Sequence, residues 1–151
     1  MDPGKNVAGC AFFQGDQLAA CTLIRADGPL AVAAEASMWF HRFHESWWKL
    51  VTEGQQVYPG PRRNDPNDLF DLTFCCGALH AYIDASEKVS ILPGKWTRGV
   101  KKEIRLARAE AALSDEEKAI LNAAKFPKSL RHNVVDSIAL GKWFLQQKAV
   151  L

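Results

Sequence analysis

Two β-compatible runs lie back to back near the start of this chain, at residues 7–13 and 17–25, and only Gln14-Gly15-Asp16 separates them. A glycine-containing spacer that short closes a hairpin, so any fold open to the chain must include an antiparallel pair. Asp27-Gly28-Pro29 stops the second run. Ahead of the first stands Asp2-Pro3-Gly4, a carboxylate placed where a strand ends and a tight turn begins.

Beyond the hairpin the pattern alternates between helical and extended. Residues 31–46, with their alanines and the cluster Met38, Trp39, Phe40 and Phe43, predict a helix with one apolar side. Residues 48–57 predict a strand, with Lys49, Val51 and Glu53 on one face and Leu50 and Thr52 on the other. A basic loop carrying Arg62 and Arg63 follows. Asp65 and Pro66 then supply an N-cap with proline at the first helical position, opening a helix over 65–85 with the apolar stripe Leu69, Leu72, Cys76, Leu79 and Ile83. Residues 88–92 predict a short strand, and a helical stretch begins near Gly99. Ser114 with Glu117 forms a capping box for a further helix, and a final helix covers 130–147 after the break at Pro127. The order β, β, α, β, α, β, α, α points to an α/β class, a mixed sheet flanked by helices in one domain spanning 1–151. One more strand is expected before the hairpin, and the sequence reads as lacking it.

Composition narrows the classes. With 48% hydrophobic and 24% charged residues the chain suits a folded domain rather than a disordered one. No stretch approaches the roughly 20 apolar residues needed to span a bilayer, and no secretory signal opens the chain, so a cytoplasmic protein without membrane contact is expected. Cys10, Cys21, Cys75 and Cys76 lack metal-knuckle spacing and read as buried free thiols. The net charge of +2, from 19 basic and 17 acidic residues, does not announce nucleic-acid binding by itself.

Clustering does. Residues 95–108 hold Lys95, Arg98, Lys101, Lys102, Arg105 and Arg108 against the single Glu103, a local charge of +5 suited to phosphates, although a solvated helix face has the same composition. Lys125, Lys128 and Arg131 add charge before the last helix, and Arg62-Arg63 offer a flexible contact. Tyr58 or Phe70 could stack on unpaired bases, with core or loop packing the plainer reading of both. The helix over 65–85 has more apolar residues than one face needs, which suits a dimer interface as well as a core.

Three carboxylates could serve a metal-dependent reaction on phosphodiesters, because Mg²⁺ favours hard oxygen ligands drawn from separate elements of a rigid scaffold. They are Asp2, Glu53 in a strand, where Glu is depleted, and Asp136 in an otherwise apolar helix. Singly, Asp2 also reads as a turn residue and Asp136 as a capping or surface residue. His132 and Asn133 precede Asp136 by four and three residues and so share its helix face, where an imidazole could bind an ion or carry a proton and an amide oxygen could complete a shell. A polar cap is the alternative for His132. His41, His44 and His80 are assigned structural roles.

With these residues placed, the chain resembles the RuvC-like Holliday junction resolvases of the ribonuclease H-like superfamily, in particular the short phage or prophage members. The resemblance rests on Asp2-Pro3-Gly4 with Gly9 and the apolar strand after it, Thr52-Glu53, Pro93 with Trp96, Lys102-Glu103, and the segment Arg131-His132-Asn133-Val134-Val135-Asp136-Ser137-Ile138-Ala139. It covers almost the whole chain in the family's order.

The resemblance implies a ribonuclease H-like mixed sheet flanked by helices, Mg²⁺ or Mn²⁺ dependence, and paired nicks in four-way DNA junctions made by a homodimer. Carried over by position, Asp2, Glu53 and Asp136 are its metal ligands and catalytic carboxylates, with His132 as a catalytic helper and Asn133 as a further ligand. DNA contacts fall to Arg62, Arg63, Lys95, Arg98, Lys101, Lys102 and Arg105. Two departures stand out. Asn133 occupies a position where the family usually has an acidic residue or histidine, and the central strand that precedes the family's first aspartate is truncated here, for which a longer reading frame upstream is the expected explanation. The alternatives are a non-catalytic DNA-binding or assembly protein of the same fold, and a related nuclease acting on RNA–DNA hybrids or other branched substrates.

Overall fold

The computed structural model describes residues 1–43, 48–55 and 66–148. Strand β1 (Asp2–Pro3) pairs antiparallel with β2 (Val7–Gln14), which pairs antiparallel with β3 (Gln17–Arg25). The β2–β3 turn is the expected one, with Gly15 at φ 63°, a conformation open to a residue without Cβ. Helix α1 (Pro29–Phe40) begins with proline in its first turn. Strand β4 (Lys49–Glu53) and strand β5 (Glu87–Ile91) then pair in parallel, and α2 (Pro66–Tyr82) lies between them in the chain, as a parallel crossover requires.

The rest of the chain is helical: α3 (Pro93–Thr97), α4 (Lys102–Ala111), α5 (Asp115–Ala123), a single 3-10 turn (Lys128–Leu130) and α6 (Arg131–Lys148). Three sequence expectations shift. The first helix stops at Phe40 instead of residue 46, with a turn at His41 and Arg42. The helix expected near Gly99 starts only at Lys102, because Arg98 and Gly99 sit at φ 49° and 71°, which no right-handed helix continues through. The short α3 before that break was not anticipated. The predicted loop at 58–64, with Tyr58, Arg62 and Arg63, and the Asp65 cap lie outside the described residues, as does His44.

Ahead of the hairpin the described strand is β1, which is only two residues long. Met1 extends its reach. The Met1 amino group donates to the Val51 carbonyl oxygen at 2.6 Å, and the Glu53 N–H donates to the Met1 carbonyl oxygen at 3.0 Å. Bonds from one residue to two positions either side of a neighbour's residue are the parallel ladder pattern. The β1-β2-β3 sheet and the β4-β5 sheet are thereby stitched along one line, with β1 between β2 and β4.

Side-chain alternation along β2 divides the core into two layers. Ala8, Cys10 and Phe12 pack with Val32, Ala36 and Leu79 from α1 and α2. Ala11 and Phe13 pack on the other side with Val134, Val135 and Ile138 of α6 and Leu121 of α5. All four cysteines are buried and free, as their spacing suggested. Beside Met1 a cavity of about 320 Å³ is lined by Ala11, Phe12, Phe13, Leu50, Val51, Ser137 and Gly141. Phe70 and Phe74 are 73% and 55% exposed on α2, so core packing does not describe Phe70. Among the described residues no helix is long and apolar enough to cross a membrane.

Candidate active site

Glycine sets the geometry of the site. Gly9 in β2 lies opposite Asp2, and a Cβ there would collide with the Asn133 backbone carbonyl and stand 2.9 Å from the Val134 nitrogen. Only a residue without a side chain lets the first turn of α6 lie that close to the sheet. One turn further along α6, Asp136 is carried to the end of β1 and β4. There its charge acts on Asp2 and Glu53, the latter held at the end of its strand by the bond from its own N–H to Met1.

Three carboxylates separated by 51 and 83 residues in sequence therefore act on one another. Burial and then the charges of Glu53 and Asp136 push Asp2 up to about 7, against the opposing pull of the amino terminus and Lys102. Burial and then the charge of Asp136 likewise push Glu53 up to about 7, with Arg105 the largest opposing influence. The amino group of Met1 is itself lowered by burial.

Asp136 is 4% exposed and is held by cations from α4. Arg105 donates from Nε at 3.0 Å and from Nη2 at 2.7 Å, both to Oδ1, while Lys102 Nζ lies 3.6 Å from Oδ2. The Arg105 guanidinium also rests over the Trp96 ring, 4.7 Å from its centroid. Arg105, expected to face DNA, thus turns inward, while Lys102 stays exposed beside it. Spacing held a clue, since Lys102 and Arg105 are three apart and share one helix face.

The donor set is chemically suited to a hard divalent cation, whose charge would offset the burial and the repulsion that raise Asp2 and Glu53. Among the described residues, however, no group of three or more His, Cys, Asp or Glu stands ready to hold a metal ion. Both oxygens of Asp136 already face cations. His132 and Asn133 are partly buried in the first turn of α6. Lys95, Arg98 and Lys101 lie exposed around α3 and the start of α4, while Arg62 and Arg63 fall outside the described residues.

Two polar clusters escaped the sequence reading in part. Glu117, expected only as the capping-box partner of Ser114, is also 4% exposed, accepts from the Leu18 N–H at 2.8 Å and pairs with Lys142 at 2.5 Å. It ties α5 to β3 and α6. His80 Nε2 lies 2.9 Å from the Thr52 hydroxyl, which lies 2.9 Å from that of Ser90, a setting that agrees with the structural role assigned to this histidine. No protein-family model matches this chain, and no curated protein matches it.

Proposed function

We propose that this protein is a metal-dependent, structure-selective DNA endonuclease of ribonuclease H-like fold that resolves four-way junctions by paired nicks as a homodimer. One observation carries the reading: Asp2, Glu53 and Asp136, remote in sequence, converge at the end of the central strands with Asp2 and Glu53 both pushed up to about 7. Carboxylates raised by burial and by one another's charge mark a functional-site candidate, and a cation drawn among them would offset both causes. The position of β1 between β2 and β4 supports the fold, since the family's first aspartate follows a strand at the centre of its sheet. Exposed Phe70 and Phe74, one turn apart on α2, supply an apolar face for a second copy.

Asp2, Glu53 and Asp136 would hold the ion, which supplies relief of negative charge on the phosphate and a water more easily deprotonated. For that to happen Glu53 and Asp2 must give up their protons, and Arg105 must release Asp136. The exposed Lys95, Arg98 and Lys101 beside the cluster then hold the DNA backbone. The grip of Arg105 and Lys102 on Asp136 also favours a second reading, a non-catalytic DNA-binding protein in which cations fill the place of metal.

A four-way junction incubated with Mn²⁺ separates the two. Symmetric nicks from the natural chain, abolished in Asp136→Asn with junction binding close to normal, support the endonuclease. Tight binding without nicks supports the second reading. Cleavage unchanged in Asp136→Asn removes the carboxylate cluster from the mechanism. RNA–DNA hybrids and forked duplexes run alongside report whether junctions are the preferred substrate.

A further inference from the structure

A second concavity of about 320 Å³ opens beside the carboxylate cluster, between α3, α4 and the end of α6. Arg98, Arg105 and Arg108 line it together with Trp96 and Trp143, and none of its described lining residues is acidic. Arginine and tryptophan side chains only donate hydrogen bonds. The Nε1 atoms of Trp96 and Trp143 are buried and have no hydrogen-bond partner among the described residues. Buried donors without acceptors are costly, and a bound ion is one group that can supply the acceptor.

The backbone points the same way. Arg98 is the one described residue other than glycine with positive φ, at 49°, and it sits at the cavity's edge. It is the left-handed cap that ends α3, and it fixes where the chain turns at the rim of the cavity. Arg105 forms the wall shared with the carboxylate cluster, reaching Asp136 through Nε and Nη2 while it lies against Trp96.

We propose that this cavity binds a phosphate of a nucleic-acid strand through Arg98, Arg105 and Arg108, and that the phosphate competes with Asp136 for Arg105, freeing the carboxylate for a cation. Anion binding stands on the cavity alone. That the phosphate belongs to nucleic acid, and that a cation follows, rests on the nuclease reading. Strand binding and cation binding are then coupled, each strengthening the other. The site would order the events, with substrate first and cation second.

The test uses the full chain, thymidine trinucleotide, its uncharged methylphosphonate counterpart and inorganic phosphate, without metal, and reads the indole N–H resonances of Trp96 and Trp143. The trinucleotide gives saturable shifts at both indoles, inorganic phosphate binds more weakly, and the uncharged form does not bind. Arg98→Gln and Arg108→Gln, both at exposed positions, each weaken trinucleotide binding by about tenfold, the loss of one charge-assisted contact. Equal binding of the uncharged form, or no effect of either substitution, overturns the site. Inorganic phosphate binding as well as the trinucleotide overturns its assignment to nucleic acid. Mn²⁺ affinity that does not rise with trinucleotide present overturns the coupling. A chain that binds the trinucleotide but never nicks a junction keeps this site and loses the nuclease, and one that nicks without indole shifts does the reverse.

Discussion

Arg105 places two nitrogens on one oxygen of Asp136, and this paired contact is what keeps a carboxylate that is 4% exposed inside the protein. Removing one partner of a buried ion pair leaves the other charge uncompensated, at a cost of about 3 kcal/mol. Arg105→Gln should therefore unfold at lower urea, with Lys102 too far at 3.6 Å to replace the lost bonds fully. Mn²⁺ should restore part of the loss in this variant and add less to the natural chain. Equal Mn²⁺ effects on the two proteins would show that Arg105 does not stand in the ion's place.

The carboxylate cluster also sets a pH dependence. Asp2 and Glu53 are raised from 3.8 and 4.5 to about 7, so between those limits the folded chain holds more protons than the unfolded one. Their contribution to stability is thus fully present below the unfolded values and is lost as pH rises through about 7. The lowered Met1 amine works in the opposite sense below its ordinary value of 8.0. The combined variant Asp2→Asn with Glu53→Gln isolates the carboxylates. It should be more stable than the natural chain at pH 8, by about 3 °C or more in Tm, and should lose that advantage toward pH 4. A difference between the two proteins that stays constant with pH would contradict the raised values.

Gly9→Ala tests the close approach of α6 to the sheet. The added methyl meets the Asn133 carbonyl, so the helix must move outward or the strand must bend, at a cost of about 3 kcal/mol. Because Asp136 rides on that helix, the variant should also show weaker Mn²⁺ binding than its stability alone explains. Calorimetric titration at a temperature where the variant remains folded measures this.

Ser114→Ala and Glu117→Ala separate a helix cap from a buried tie. Loss of the Ser114 hydroxyl should cost about 1 kcal/mol, as for other N-caps. Loss of Glu117 strands the buried Leu18 N–H and the Lys142 ammonium as well, and should cost about 3 kcal/mol. Equal losses in urea unfolding would mean that the buried contacts contribute nothing beyond the cap.

The hairpin, the face alternation of residues 49–53 and the capping box could be read from sequence because each is local: a spacer glycine, a period of two, a Ser and Glu three apart. Leu50 and Thr52 are indeed the buried positions of β4. The convergence of Asp2, Glu53 and Asp136 could not be derived from spacing, and it entered through a family resemblance. The inward turn of Arg105 stayed hidden because a basic helix looks the same whether its charges meet solvent or a buried carboxylate. The pairing of β1 was not legible because two residues carry no periodicity. Its strand character comes from its neighbours, β2 on one side and the bonds of Met1 to Val51 and Glu53 on the other.

That last arrangement makes the first nitrogen of the sequence an interior atom. Whatever is joined to it, be it a formyl group, an acetyl group, a purification tag or further residues, starts inside the sheet and faces the cavity between β2 and β4. An affinity handle placed there would be a change to the core. Two preparations that differ only at their first atom can then differ in stability, and in how firmly Asp2 is held beside its fellow carboxylates.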